Sequence, residues 1–209
     1  MTHKNQANAQ DISEISQLLL NWGFFRDHKM WDELRSTFVD DGIIHLTWYV
    51  GSIQGFVEGS KAMSKSPVKT MHVMKPSIVD VNGDRAIAIT PASIMARAEV
   101  ASPGLDLTSE ALFYDFIVKD NGIWKISRRY CIYQKDRLDS IEPSLVFWFK
   151  SLWMDTSQFD PAYKYLGFML GKSGFAVQPG QYVDNTEPTR QLYAEGKSWL
   201  AETPTLQLA

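Results

Sequence analysis

The sequence predicts an α+β fold in which helices come first and pack on one face of a curved antiparallel sheet, followed by a helical C-terminal extension. Three observations carry this. Apolar residues recur at helical spacing between Ile12 and Phe38. From Gly42 to Arg137 the texture is β-branched and aromatic, broken by Asn-Gly turn signals. Beyond Arg137 come apolar, aromatic segments opened by Pro143, Pro161 and Pro188.

Taken in order, Asp11 and Glu14 read as a capping box, with Ile15, Leu18, Leu19, Trp22 and Phe25 along the following helix. Met30, Trp31, Leu34 and Phe38 continue as a second, short helix that Asp40-Asp41-Gly42 ends. Ile43 to Val50 reads as a strand and Phe56 to Ser64 as a short helix. Lys69 to Val81 reads as a strand with an irregularity at Pro76. Asn82-Gly83 turns the chain into a returning strand, Asp84 to Glu99. Leu105 to Lys119 and Ile123 to Lys135 form a hairpin around Asp120-Asn121-Gly122. Pro143 to Trp153, Pro161 to Leu170 and Pro188 to Leu200 read as helical. The chain divides into a domain at 10–137 and an extension at 138–209, packed on the same domain or on a neighbouring subunit.

Composition narrows the function classes. The 209 residues hold 44% hydrophobic and 22% charged side chains, as an ordinary globular domain does. With 21 basic and 24 acidic residues and no basic run, neither nucleic acid nor membrane is an expected partner. The single cysteine, Cys131, permits no internal disulfide, and the polar N-terminus has no apolar signal core, so the expected location is cytoplasmic. Scattered histidines without His-x-His or Cys-x-x-Cys spacing give no metal site, and no cofactor is expected. The 7 Trp, 8 Tyr and 11 Phe serve either a filled core or a pocket for a flat, bulky ligand.

Three segments together resemble a known family. They are Trp22 to Phe38 with the following Asp40-Asp41-Gly42, Met71 to Ala88 with His72 before the Asn82-Gly83-Asp84-Arg85-Ala86 turn, and Asp120 to Arg129. Together they are similar to the SnoaL-like branch of the nuclear transport factor 2-like superfamily. That branch includes scytalone dehydratases, bile-acid 7α-dehydratases and hexachlorocyclohexane dehydrochlorinases. The resemblance implies a cone-shaped fold and an Asp–His pair, here Asp27 and His72, that carries out elimination without a metal or organic cofactor. Curved sheets of this family associate through their outer faces, so a homo-oligomer, trimer or dimer, is expected. Two departures stand out: a tyrosine common five positions before the aspartate is Trp22, and Ala96 or Arg97 lies where scytalone dehydratases carry a second histidine.

From the residues alone, Asp27 sits on the margin of the apolar stripe with Gly23 one turn below and reads first as a solvated carboxylate at a helix end, a preference that the resemblance reverses. His72 lies mid-strand and reads as a core histidine or a general base. His45, Thr47 and Tyr49 alternate on one strand face, which is either pocket or solvent. Arg129 matches the family's arginine position, while strict alternation from Trp124 turns Arg128 inward instead. Trp22, His45, Tyr49, Arg129 and Trp148 are therefore the candidate substrate contacts, and Pro143 to Trp153 is the candidate lid. The expected activity is a lyase acting on a bulky apolar, aromatic small molecule by dehydration, dehydrohalogenation or retro-aldol loss of formaldehyde. An isomerase or cyclase using the same pocket, and a non-catalytic binding or assembly module, are the alternatives.

Overall fold

The computed structural model describes residues 2–98 and 104–202, with side chains from Asn8 onward. The elements run α1 (Thr2–Asp27), α2 (Trp31–Ser36), β1 (Phe38–Leu46), β2 (Tyr49–Ser52), α3 (Ile53–Met63), β3 (Lys69–Met74), β4 (Ile78–Asn82), β5 (Arg85–Ala98), β6 (Leu105–Asp120) and β7 (Ile123–Ser140). The C-terminal part adds α4 (Leu145–Ser151), α5 (Lys164–Lys172), β8 (Tyr182–Val183) and α6 (Glu187–Ala201). The predicted strand end at Glu99 lies outside the described residues. Among them, no helix is long and apolar enough to cross a membrane.

One curved sheet runs in the order β2-β1-β7-β6-β5-β3, with β4 on β5 and β8 on β7. It is antiparallel except for two parallel pairings, β1 with β7 and β7 with β8. Pro76 does more than roughen a strand. It separates β3 from β4, which pair with successive stretches of β5. The β6–β7 turn places Asn121 at φ 50 and Gly122 at φ 79, the two positive values that a tight hairpin turn needs.

The inner face of the sheet receives Ile15, Leu19 and Trp22 of α1, together with Leu34, Phe56, Phe113, Ile117 and Ile126, in one buried cluster. Asp11 is not a helix cap. The helix already runs through it, and its carboxylate accepts from Lys119 Nζ at 2.8 Å and Trp124 Nε1 at 2.9 Å, tying α1 to the β6–β7 hairpin.

The C-terminal extension packs on the same chain. On the outer sheet face Leu192, Tyr193, Trp199 and Leu200 of α6 cover Ile87, Tyr114, Phe116 and Ile132. Arg85 reinforces the contact, donating to Trp199 O at 2.8 Å and lying over its ring. The chain's own last helix thus covers one patch of the outer face, while strand residues such as Met71 and Ile78 stay exposed. On the inner side, α5 contributes Leu166 and Met169 to the main core. Its first turn is capped from outside: Asp136 Oδ2 on β7 accepts from the backbone N–H of Tyr165 at 2.6 Å and of Leu166 at 2.8 Å. By contrast α4 has no fully buried residue, and Leu145, Trp148, Phe149, Leu152 and Trp153 are exposed.

Candidate active site

Asp27 is the last residue of α1, and His72 lies in the middle of β3. They meet because α1 crosses close to β3. A Cβ at Gly23 would come 2.7 Å from Met74 Cγ, so only glycine allows this approach without displacing the Met74 side chain. Lys29, at φ 60, turns the chain away just after the helix ends. A carboxylate at a helix C-terminus faces the negative end of the macrodipole, so the position opposes helix stability and needs a compensating partner.

His72 supplies two. Asp27 Oδ1 lies 2.7 Å from His72 Nδ1, and Oδ2 accepts from the His72 backbone N–H at 2.6 Å. Both side chains are only 12% exposed. A carboxylate only accepts, so it selects the tautomer with the proton on Nδ1 and leaves Nε2 as the basic nitrogen. Trp22 packs edge-on against the imidazole, with ring centroids 5.7 Å apart, and limits its rotation.

Asp27 and His72 line a cavity of about 360 Å³, at the lower end of the ~300–1,000 Å³ typical of small-molecule sites. Its apolar walls include Trp48, Met63, Val68, Ile94 and Leu107. One side is closed by α5 and the residues after it, through Leu166, Met169, Leu170, Ser173 and Phe175. The covering segment is therefore not Pro143 to Trp153. None of that stretch lines the cavity, only its Phe147 packs against the core, and most of its large apolar side chains are exposed. By contrast, Asp136 and the core contacts hold α5 over the cavity.

The expected substrate contacts separate from the cavity for identifiable reasons. His45 pairs in register with Tyr130 and faces outward, its ring among those of Tyr130 and Tyr182, where burial pulls its pKa below the ordinary value. The alternation that groups Thr47 and Tyr49 with it stops because β1 ends at Leu46. Thr47 is buried against the Tyr133 hydroxyl, Tyr49 donates to Ser52 O at 3.0 Å, and the intervening Trp48 reaches the cavity. Trp148 is exposed on α4. Trp22 stands behind His72 and outside the cavity lining.

Arg129, not Arg128, turns inward. Between the pairs Phe116–Arg128 and Ile117–Ile126 the register shifts by one residue, so Ser127 is an extra residue on β7 and inverts the alternation. Arg128 lies outside over the Phe116 ring and pairs with Glu195 of α6. Arg129 is fully buried, bidentate to Asp115 at 2.7 and 2.8 Å, and lies over the Trp22 and Phe113 rings at 4.2 and 4.6 Å. Burial pushes the Asp115 carboxyl up, while the charge and hydrogen bonds of Arg129 pull it back down. Removing one partner leaves the other as a buried, uncompensated charge, so Arg129→Met is expected to cost about 3–5 kcal/mol in urea unfolding. Adding Asp115→Leu should recover most of that loss. A single-variant cost below about 1 kcal/mol, the range of exposed pairs, would contradict this structural role.

A SnoaL-like domain matches residues 7–130. The chain belongs to the SnoaL-like family. Pea pathogenicity protein 2 of the fungus Fusarium vanettenii is 28% identical over 200 residues, covering 90% of this chain and 84% of that protein. Among solved structures, a protein of Novosphingobium aromaticivorans assigned provisionally as a scytalone dehydratase superposes with a TM-score of 0.54 at 17% identity. It covers 67% of this chain and 93% of that one. A nuclear transport factor 2-like protein with a cystatin-like fold from the same bacterium gives 0.52 at 16% identity, covering 68% and 90%. These likenesses establish the fold.

Within this SnoaL-like cone, three features of the cavity are not marked by the sequence: Arg26, Trp48 and the α5 face. Arg26 and Trp48 adjoin candidate positions, but each is turned to the cavity by packing that a one-dimensional pattern does not carry. No group of three or more His, Cys, Asp or Glu side chains able to hold a metal occurs among the described residues.

Proposed function

We propose that this protein is a cofactor-independent lyase acting on a bulky, apolar, aromatic small molecule, with Asp27 and His72 as its acid–base pair. The observation that supports this most directly is the 2.7 Å contact between Asp27 Oδ1 and His72 Nδ1 on the wall of an otherwise mainly apolar cavity. Neutral His72 takes a proton from substrate carbon or hydroxyl through Nε2. The imidazolium that forms is stabilised by the Asp27 carboxylate, as in the buried carboxylate–histidine arrangement of hydrolytic triads. The bond to the leaving group breaks, and the imidazolium returns its proton to that group. A substrate bound beneath α5 displaces water from the pair, which strengthens the Asp27–His72 interaction.

The test is a panel of aryl β-hydroxy and β-halo carbonyl compounds incubated with the protein in deuterated buffer and followed by proton NMR. Elimination products are the expected outcome. Deuterium incorporated at carbon without loss of a group would make the protein an isomerase instead, and no reaction with any member would count against the acid–base reading. Activity is expected to survive exhaustive dialysis against a chelator, because no step here is assigned to a metal. Loss that returns on adding a divalent cation would overturn cofactor independence.

A further inference from the structure

Arg26 immediately precedes Asp27, yet the mechanism above leaves it unused. It lines the same cavity and is only 6% exposed. Among the described residues its hydrogen-bond acceptor is Met63 Sδ, 3.6 Å from Nη2. A guanidinium carries five N–H donors, and a thioether is a weak acceptor. The adjacent Asp27 has both oxygens engaged by His72. Burial draws the Arg26 pKa down, with the Asp27 charge opposing, yet arginine remains charged under all ordinary conditions.

Water can solvate this cation while the cavity holds no ligand. A purely apolar ligand would displace that water and strand the charge, which is among the costliest things a binding site can do. A ligand that brings its own acceptor avoids the penalty, and one with a planar oxyanion matches the guanidinium fork with two parallel hydrogen bonds. The cavity wall agrees in sign. Among the described residues Asp27 is the one carboxylate in its lining, and Lys29 stands nearby on the same wall, its Nζ 3.4 Å from Ser64 O.

We infer that Arg26 is the anion-binding group of this cavity and that the substrate is an apolar ring compound bearing a carboxylate. This rests on the cavity being the substrate site and names the substrate's class. Arg26 thereby fixes which end of the molecule is held away from His72 and which carbon is presented to Nε2. Neutral isosteres should bind more weakly, because they lose the charge-assisted part of the hydrogen bonds to the guanidinium. Binding should also weaken with salt less than at an exposed arginine, since a buried pair is little screened.

Two probes of equal shape test this: 2-naphthoate and its neutral carboxamide, 2-naphthamide, titrated by calorimetry. The wild-type protein is expected to bind the carboxylate roughly tenfold or more tightly than the amide, as a charge-assisted hydrogen bond warrants. In Arg26→Gln that preference should fall to near unity. Should that variant fail to fold, Arg26→Met, closer in shape to the buried stem, carries the same expectation. Equal affinity of the two probes for the wild-type protein, or binding of neither up to millimolar concentration, overturns the inference. So does a preference that survives loss of the guanidinium. The titration needs no turnover, so its outcome is independent of the lyase assays. A carboxylate preference without elimination of any aryl carboxylate would keep the anion site and sink the reaction. Elimination that depends on His72 without a carboxylate preference would do the reverse.

Discussion

Asp27→Asn and His72→Ala are each expected to reduce turnover by roughly 10²–10⁴-fold or more, the range that positioned acid–base groups contribute. The two substitutions act differently. Alanine removes the base. Asparagine keeps an oxygen that can still accept from the His72 backbone N–H, but it loses the charge that selects the Nδ1-protonated tautomer and stabilises the imidazolium. The fall should therefore appear mainly in kcat, with KM little changed, because the lost interaction strengthens only as the proton moves. The double variant should be scarcely worse than either single one, since the pair acts as a unit. Melting temperature should stay near that of the wild type, because both side chains line a cavity and the His72 backbone N–H can still bond residue 27 in either variant. A variant keeping more than a tenth of wild-type activity would remove that residue from the mechanism.

What can be read in the sequence, and what cannot, divides along local and non-local physics. Helices α1 and α2 and the β6–β7 hairpin declare themselves through periodicity and an Asn-Gly pair whose positive φ angles are a local requirement. The pairing of Asp27 with His72 comes from the family resemblance. By periodicity alone, Asp27 reads as an ordinary helix end, and it meets His72 only because Gly23 lets α1 approach β3. The orientation of Arg129 rests on a bulge at Ser127, one inserted residue that no alternation rule foresees. His45 reads as a pocket candidate because outer-face residues here are covered rather than solvated, so polarity no longer marks the outside. Arg26 is closest to being legible, since it neighbours Asp27. Even so, an arginine in the last turn of a helix is usually solvated, favouring the dipole, whereas here it is buried with its guanidinium beside Met63. The tail is legible as apolar and Pro-punctuated. Which of its helices covers the cavity depends on Asp136, a residue far from it in sequence.

The second large effect is expected from shortening that tail, and two lengths separate its roles. A chain ending at Asp139 loses α4, α5, β8 and α6 together. Leu166, Met169 and Leu192 are buried in the intact protein, and Trp199 and Leu200 partly so. Each such side chain contributes up to about 1.5–3 kcal/mol when fully buried, against a typical total of about 5–15 kcal/mol for a domain. The bare outer face would also present Tyr114, Phe116 and Ile132 as one apolar patch. This chain is expected to be insoluble or to unfold at room temperature. A chain ending at Ala176 keeps α5 and Phe175 over the cavity and loses only β8 and α6. It should fold with the cavity intact and bind 2-naphthoate within a few-fold of the wild type, but associate through the uncovered face. Light scattering at micromolar concentration and a thermal melt read both consequences. If the chain ending at Ala176 stays at the same assembly state and melts with the full-length protein, α6 is not the cover of the outer face. If the chain ending at Asp139 remains soluble, stable and fully active, α5 neither supports the core nor closes the site.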